Sequence, residues 1–350
     1  MSHNVLITGG SGYLGGTLLA RWGTANLPAY GKLYALVRTD DQANAVKQYG
    51  AEPLSFNPTE EAAVQAAVVG NAITVVYYLI DAMFSEAQVH FIKALAEVKK
   101  RTGHEVHLLH TSGAKVFSNH AGAPTDRTLL DTDPKLYDIQ KSQKAGFELM
   151  QEAVHTNSVV IEEAGKHGVR SYIFVPCIVY GKGEGFGNPI SIQTVAIVRA
   201  AKSMGRMYRF DADRPTWPVC HVVDNTIMYL DLMRKILADE DPGYGKNGYY
   251  LASSGSVAWD DLYLAMASAL TKRNIIADDS VLLANDQILE TLASVFGVPK
   301  ELVPVTLGGS CEFTADRGNK ELGWKPLYKP EHILETSDAE VELILQNLED

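Results

Sequence analysis

The feature that most constrains this 350-residue chain is a glycine-rich turn directly after a short apolar run near its start. Residues 8–15 read Thr-Gly-Gly-Ser-Gly-Tyr-Leu-Gly, follow Val5-Leu6-Ile7, and lead into an apolar stretch with helical spacing. Glycines at such a junction permit a tight turn, let the backbone approach a pyrophosphate, and let a helix pack closely on a strand. A structural turn is the alternative in a chain with 29 glycines. The position directly after the first strand favours a dinucleotide-binding turn.

Strand-like and helix-like runs alternate through the first half of the chain. The predicted strands after the first one are residues 33–37, 52–56, 73–80, 105–110 and 169–175. The predicted helices after the turn are residues 43–49, 60–69, 84–100 and a long segment from about residue 137. This alternation predicts an α/β fold with a doubly wound parallel sheet of the Rossmann type.

The pattern changes beyond Pro176. Glycines at positions 181, 183, 185 and 187 indicate a loop, and helix-like segments then mix with short strand candidates such as residues 249–252. We expect a dinucleotide-binding domain built from residues 1–176 and about 219–248. A smaller, interleaved substrate-binding region then takes residues of about 177–218 and 249–350.

Composition limits the classes of partner. The formal net charge of −11 argues against a nucleic-acid or anionic-membrane surface. No run of about 20 apolar residues is present, and the first strand begins so early that we expect no signal peptide and a cytoplasmic protein. Cys177, Cys220 and Cys311 are too scattered for a disulfide framework or a metal cluster, so we expect buried, reduced thiols and no metal.

The end of the second predicted strand bears on the choice of cofactor. In a dinucleotide fold the residue at this position lies beside the adenosine ribose, where an acid binds the 2′-hydroxyl of NAD and an arginine accommodates the 2′-phosphate of NADP. The strand ends in Val37-Arg38-Thr39, so Arg38 favours NADP(H) over NAD(H). Asp40 and Asp41 follow closely, and a shifted register would restore an NAD-like acid.

Tyr137 and Lys141 are four residues apart in a predicted helix, and no other lysine in the chain follows a tyrosine by four positions. They are expected to share one helix face. A nearby ammonium lowers the pKa of a phenol, so the pair is suited to exchange a proton with a carbonyl or alcohol oxygen during hydride transfer. Ser112, at the end of the fifth predicted strand, is a candidate donor to the same oxygen.

With these residues the chain resembles the extended branch of the short-chain dehydrogenase/reductase superfamily. That branch includes nucleotide-sugar epimerases and dehydratases, and reductases of the dihydroflavonol and cinnamoyl-CoA type. Three further segments carry the resemblance, which runs nearly end to end: residues 175–181 (Val-Pro-Cys-Ile-Val-Tyr-Gly), residues 220–224 (Cys-His-Val-Val-Asp) and residues 320–326 (Lys-Glu-Leu-Gly-Trp-Lys-Pro).

The resemblance implies roles for individual residues. Tyr137 becomes the acid/base, Lys141 tunes its pKa and anchors the nicotinamide ribose, and Ser112 donates to the substrate oxygen. The implied cofactor contacts come from Thr8, Gly9, Gly12, Tyr13, Leu14, Gly15, Arg38, Asn57, Leu79, Ile80, Pro176 and Ile178, together with Tyr137 and Lys141. Asp81 and Trp217 are assigned to the substrate.

The chain also departs from the family pattern. The family's hydroxyl residue at the end of the fifth strand falls on Gly113 in one register and on Ser112 in the other. The Asp-Glu pair of 4,6-dehydratases is absent, which argues against a dehydratase, and Trp217 replaces an arginine that grips the substrate pyrophosphate in epimerases. Arg206 and Arg209 remain candidate phosphate ligands. Residues 155–160 are expected to interrupt the long helix.

The leading hypothesis is an NADP(H)-dependent carbonyl reductase or alcohol dehydrogenase that acts on a small to medium organic molecule. The alternatives are a nucleotide-sugar epimerase with tightly bound NAD and a non-catalytic nucleotide-binding sensor. The resemblance also implies that a homodimer can form through the helices at residues 84–100 and 135–152.

Overall fold

The described part of the chain, residues 2–348 of a computed structural model, contains fourteen strands and thirteen α-helices besides shorter 3₁₀ and π turns. The strands, in chain order, are β1 (Val5–Ile7), β2 (Leu33–Leu36), β3 (Glu52–Leu54), β4 (Val75–Tyr78), β5 (His107–Thr111), β6 (Leu129–Leu130), β7 (Arg170–Pro176), β8 (Ile178–Tyr180), β9 (Met207–Arg209), β10 (Thr216–His221), β11 (Tyr249–Ala252), β12 (Gly255–Ala258), β13 (Val281–Leu283) and β14 (Phe313–Thr314).

The helices alternate with the strands in the first half of the chain and dominate the second half. They are α1 (Tyr13–Trp22), α2 (Asp40–Lys47), α3 (Glu61–Gly70), α4 (Glu86–Thr102), α5 (Leu136–Lys141), α6 (Glu148–His167), α7 (Gln193–Met204), α8 (Val222–Leu237), α9 (Trp259–Lys272), α10 (Asp286–Phe296), α11 (Leu302–Leu307), α12 (His332–Glu335) and α13 (Ser337–Asn347).

The main sheet is parallel and has seven strands in the order β11-β7-β5-β4-β1-β2-β3. Helices cover both of its faces: α1 packs beside α8 on one face, and α3, α4 and α6 form the layer on the other. Central strands such as β4 are apolar and buried at every position because neither face of the sheet meets water. The predicted doubly wound Rossmann-type fold is therefore confirmed.

The carboxyl ends of β1, β4, β5 and β7 meet at one edge of this sheet, on both sides of the change in strand order after β1. Ligands of open α/β sheets bind outside this edge. The glycine turn after β1 and Ser112 after β5 are thereby brought to the same crevice.

A second region packs beyond this edge. It holds a three-stranded sheet in the order β12-β10-β8 and two parallel pairs, β13 with β9 and β14 with β6. The helix α9 packs there against α7, α12 and α13. The predicted bounds of the two regions stay a prediction. Residues 249–252, however, were assigned to the second region and lie elsewhere. They form β11, which is hydrogen-bonded to β7 in the main sheet rather than belonging to the second region.

The predicted interruption at residues 155–160 is wrong, because α6 runs without a break from Glu148 to His167. Polar side chains in this stretch find internal partners: the Thr156 hydroxyl donates to the Met83 carbonyl at 2.8 Å, and the Asn157 amide donates to Gln140 at 3.3 Å. The helical region is instead broken earlier, at residues 142–147 between α5 and α6.

Three further observations concern features predicted from composition. No helix within residues 2–348 has both the length and the apolarity to span a bilayer. The same residues contain no cluster of three or more His, Cys, Asp or Glu side chains arranged to hold a metal. All three cysteines are unpaired; Cys220 and Cys311 are buried and Cys177 is half-buried.

Candidate active site

A cavity of about 540 Å³ lies at the carboxyl edge of the main sheet. Its lining includes the glycine turn, Ser112, Lys115 and Trp217. Most of the other lining side chains are apolar, as is usual for small-molecule sites.

The glycine turn has the geometry that a dinucleotide requires. Gly9 has a φ of 69°, and a Cβ there would lie 2.8 Å from the Leu79 carbonyl oxygen. A Cβ on Gly15 would lie 2.3 Å from the Gly9 carbonyl oxygen. Gly12 is the N-cap residue of α1 and has no side chain that could bond to the first N–H groups of the helix. These N–H groups therefore remain available to an anion. These residues fit the pyrophosphate of a dinucleotide.

Of the six residues predicted at this turn, five line the cavity, namely Gly9, Gly12, Tyr13, Leu14 and Gly15. Thr8 does not. Its hydroxyl is fully buried and accepts a hydrogen bond of 2.9 Å from the Leu79 backbone N–H. Thr8 thus links the ends of β1 and β4 and does not itself contact the cavity.

The glycine-rich loop after β8 packs onto this turn. The Asn188 N–H donates to the Ser11 carbonyl at 3.0 Å, and the Tyr13 hydroxyl donates to the Gly181 carbonyl at 2.6 Å. Burial raises the pKa of Tyr13, so its phenol stays protonated. Tyr13 therefore holds the loop and does not act as an acid or base at ordinary pH.

Arg38 is exposed just beyond β2, where the ribose end of a dinucleotide is expected. Its backbone N–H donates to the Gln42 side chain at 2.9 Å, while its guanidinium has no ion-pair or hydrogen-bond partner within residues 2–348. Asp40 and Asp41 lie in the first turn of α2. Asn57 is also exposed, and its side chain is bonded to Glu60 and Thr59 rather than oriented by the sheet.

The other predicted cofactor contacts divide into two groups. Leu79 and Pro176 line the cavity, whereas Ile178 is buried outside its lining and Ile80 is 49% exposed. The Asp81 carboxylate, predicted to contact the substrate, accepts a hydrogen bond from the Met83 N–H at 2.7 Å and does not line the cavity.

Among the described hydroxyl residues that line the cavity, Ser112 is the one whose hydroxyl has no hydrogen-bond partner. Its side chain is buried. The neighbouring Thr111 hydroxyl is paired with the Tyr229 hydroxyl at 2.8 Å. Gly113 also lines the cavity but has no group to offer. An unpaired buried hydroxyl is costly, and a substrate oxygen would satisfy it.

Tyr137 and Lys141 are not brought to this cavity. They share a face of α5 as predicted, but that face contacts Glu162: the Tyr137 hydroxyl donates to its carboxylate at 2.5 Å and the Lys141 ammonium donates to the same oxygen. Glu162 lies nine residues beyond Ala153, the nearer of the two α6 residues that line the cavity, which is about 14 Å along the helix. The structure therefore does not assemble Ser112, Tyr137 and Lys141 into one site.

The electrostatic effect predicted for this pair is also reversed. The pKa of Tyr137 is raised above its ordinary value, first by burial and then by its hydrogen bond to the Glu162 carboxylate. Lys141 acts in the lowering direction but does not outweigh these effects. The phenol is a structural donor here, with no tendency to ionise near neutral pH.

Lys115 is a cavity residue that the sequence reasoning did not select. It lies in the short 3₁₀ turn Ala114–Phe117 after β5 and is the only lysine, arginine or carboxylate that lines the cavity among the described residues. The helix α6, which contacts this turn, contributes only Met150 and Ala153 to the cavity lining. The sequence feature that could have indicated Lys115 is its position as a single lysine inside the otherwise apolar stretch Ala114-Lys115-Val116-Phe117.

Trp217 lines the cavity as predicted and packs against Trp259 with a ring-centroid distance of 5.6 Å. The two candidate phosphate ligands are engaged elsewhere. Arg206 pairs with Asp278 at 2.9 Å, and Arg209 donates to the Asp211 backbone at 3.1 Å. Neither arginine lines the cavity. The cavity therefore presents the Trp217 ring rather than a guanidinium that could bind a substrate phosphate.

Comparisons with known proteins agree with this architecture. The profile of the NAD dependent epimerase/dehydratase family matches residues 5–243. None of the curated proteins matches the sequence.

Several solved structures share the fold. A dTDP-glucose 4,6-dehydratase from Streptomyces venezuelae with NAD and TYD bound has a TM-score of 0.66 at 13% identity, covering 98% of this chain and 97% of that chain. A UDP-glucose 4-epimerase from Bifidobacterium longum in complex with NAD+ and UDP has a TM-score of 0.64 at 14% identity, covering 98% of both chains. A partial consensus L-threonine 3-dehydrogenase has a TM-score of 0.60 at 14% identity, covering 97% of this chain and 99% of that chain. At such identities the likeness is one of fold alone.

Proposed function

Because the chain belongs to the NAD-dependent epimerase/dehydratase family, we propose that it is an oxidoreductase that interconverts a carbonyl and an alcohol on a small to medium organic molecule. The observation that carries this proposal is that one cavity joins the glycine turn to the unpaired hydroxyl of Ser112. A bound nicotinamide dinucleotide supplies or accepts a hydride in such a site.

The residues of this chain then position the reactants. The turn at Gly9, Gly12 and Gly15 holds the pyrophosphate through backbone N–H groups and the start of α1. Leu79 and Pro176 form apolar walls toward the nicotinamide end. Ser112 donates to the substrate oxygen, where negative charge develops as the carbon gains hydride.

We propose NADP(H) rather than NAD(H) as the cofactor. The free, planar guanidinium of Arg38 beyond β2 is suited to a 2′-phosphate, to which it can offer two parallel N–H donors. Asp40 and Asp41 are drawn into the start of α2, where carboxylates are favoured by the helix dipole.

The substrate is expected to be apolar or aromatic around its carbonyl. Trp217, Met150 and Val116 provide apolar surface, and no carboxylate of the described residues lines the cavity. With Arg206 and Arg209 paired elsewhere, a nucleotide diphosphate would lack a guanidinium partner here. This argues for a reductase rather than a nucleotide-sugar epimerase.

The test is a calorimetric titration of the purified protein with NADPH and NADH, followed by assays of NADPH oxidation with 1-phenylpropane-1,2-dione and ethyl 3-oxobutanoate. We expect NADPH to bind more tightly than NADH and at least one of these carbonyl probes to be reduced. Failure to bind either dinucleotide would contradict the proposal. So would copurifying NAD that resists removal together with thermal stabilisation by UDP-glucose, a result that favours the epimerase.

A further inference from the structure

Lys115 occupies an uncommon position for a lysine. Its side chain is half-buried and lines the cavity, and its ammonium has neither a hydrogen-bond nor an ion-pair partner within residues 2–348. Lysines are rarely left in such surroundings without a partner, because desolvating an ammonium is costly. The position therefore calls for a ligand or a chemical role.

Within residues 2–348, no carboxylate forms an ion pair with Lys115. Its turn packs against α6, whose cavity-lining residues are Met150 and Ala153 and whose nearby carboxylates, Glu148 and Glu152, are exposed. Burial lowers the pKa of Lys115 to about 8. An amine with a pKa in this range exchanges protons readily at physiological pH.

The other titratable groups near Lys115 are less suited than Lys115 to exchange a proton with a ligand in the cavity. Burial lowers the pKa of His120 in the following turn, and the charge of Lys115 lowers it further. His120 is bonded to the Gly308 carbonyl, away from the cavity lining. Tyr13 and Cys177 do line the cavity, but burial raises the pKa of each, so both stay neutral.

Ser112 lies three residues before Lys115, and both residues line the same cavity. The Ser112 hydroxyl can accept one hydrogen bond and donate another. A substrate oxygen placed between the two would receive one hydrogen bond from Ser112 and one from Lys115. It would satisfy the buried, unpaired hydroxyl of Ser112 and give the Lys115 ammonium a partner as well.

We propose that Lys115 is the catalytic acid/base of this site, an inference that rests on the oxidoreductase function proposed above. In the reducing direction, the substrate carbonyl carbon gains a hydride from the reduced dinucleotide, and the π electrons of the C=O bond pass to the oxygen. That oxygen takes a proton from the Lys115 ammonium as an N–H bond breaks, which leaves an alcohol and a neutral amine. Solvent then returns a proton to the amine, and the reverse sequence oxidises an alcohol.

This assignment also accounts for the absence of Tyr137 from the cavity. Among the described residues, the α6 side chains that line the cavity are Met150 and Ala153, neither of which titrates, and Tyr137 is bonded to Glu162 farther along that helix. The proton comes instead from the turn after β5, which follows Ser112 closely in the chain. The competing role for Lys115 is to bind a carboxylate or phosphate of the substrate without exchanging a proton.

The first experiment measures the titration of Lys115 without turnover. Trace labelling of the intact protein with acetic anhydride from pH 6 to 11, read by peptide mass spectrometry, gives the pH at which each amine becomes reactive. We expect half-maximal labelling of Lys115 near pH 8, with the exposed Lys144 as the internal reference. Titration of Lys115 at or above the pH of Lys144 would overturn the proposal.

The second experiment compares Lys115→Met, Lys115→Arg and the surface control Lys144→Met in NADPH oxidation with the two carbonyl probes. Loss of an acid/base is expected to lower kcat by roughly 100-fold or more in both Lys115 variants, with NADPH affinity nearly unchanged. Lys144→Met should match the wild type. Wild-type activity in Lys115→Arg would assign Lys115 to anion binding and overturn the proposal.

The two proposals fail in different ways. If the wild-type protein binds no dinucleotide, the proposed function is wrong whatever Lys115 does. If it binds NADPH and reduces a probe while Lys115→Met keeps the wild-type rate and pH profile, only the acid/base assignment is wrong.

Discussion

Gly185, in the loop after β8, packs directly against Gly16 in α1: a Cβ on Gly185 would lie 2.4 Å from the Gly16 Cα. The same loop is tied to the helix by an ion pair between Arg21 and Glu184 at 2.6 Å, and Phe186 stacks on Tyr49 after α2. The loop therefore fastens the substrate-side region onto the glycine turn that would hold the dinucleotide.

The first prediction concerns Gly185→Ala. Because the added methyl group meets backbone atoms that cannot move aside, we expect a loss of about 1–3 kcal/mol in the free energy of unfolding and weaker NADPH binding. Urea denaturation and calorimetry measure the two effects. Gly146→Ala is the matched control, since a Cβ there meets no atom within 4 Å. Equal behaviour of the two variants would show that the close approach at Gly185 does not matter.

A second prediction concerns the cofactor. Arg38→Ala should raise the Kd for NADPH by roughly 10- to 100-fold, the effect of losing one charged hydrogen-bonding partner of about 1.5–3 kcal/mol, while the Kd for NADH stays nearly constant. Arg101→Ala, at the carboxyl end of α4, is the control. Tighter binding of NADH than of NADPH by the wild type would refute the preference for NADP(H).

The fold was predictable because the strands of a doubly wound sheet are buried on both faces. Short apolar runs such as Val75–Tyr78 therefore stand out between amphipathic helices. The pairs β6 with β14 and β9 with β13 were not predicted, since strands of two or three residues carry no readable period. The strand Tyr249–Ala252 was predicted, but its own residues hold no information about which sheet it joins.

The site was predictable only where local chemistry and position coincide. The glycines and Ser112 directly follow strands, so the sheet itself carries them to its carboxyl edge. The spacing of Tyr137 and Lys141 correctly indicates a shared helix face, yet the turn at residues 142–147 directs that face toward Glu162. Lys115 was missed because a lysine after a strand usually lies in solvent, and only the assembled walls enclose it.

The third prediction separates Tyr137 from Ser112. Tyr137→Phe removes one hydrogen bond to Glu162 and should cost about 1 kcal/mol in the free energy of unfolding, with kcat close to that of the wild type. Ser112→Ala should leave stability nearly unchanged and lower kcat by about 100-fold, because a donor to the developing oxyanion is lost. Steady-state kinetics with NADPH and a reducible carbonyl probe make the comparison. A collapse of kcat in Tyr137→Phe would return the catalytic role to that tyrosine.

The last prediction follows from the pKa of Lys115, which burial lowers to about 8 in the folded protein. The unfolded chain, with an ordinary lysine pKa of about 10.4, binds more protons than the folded one between these two values, so the wild type gains stability as the pH rises through this range. Below pH 8 the folded protein carries the full cost of the buried ammonium. Lys115→Met should therefore be more stable than the wild type by about 1–3 kcal/mol at pH 7, and this advantage should disappear by about pH 10.5. Urea denaturation at several pH values measures the difference, with Lys144→Met expected to show none. A Lys115→Met variant that is less stable than the wild type at pH 7 would mean that the ammonium is well solvated or paired in solution.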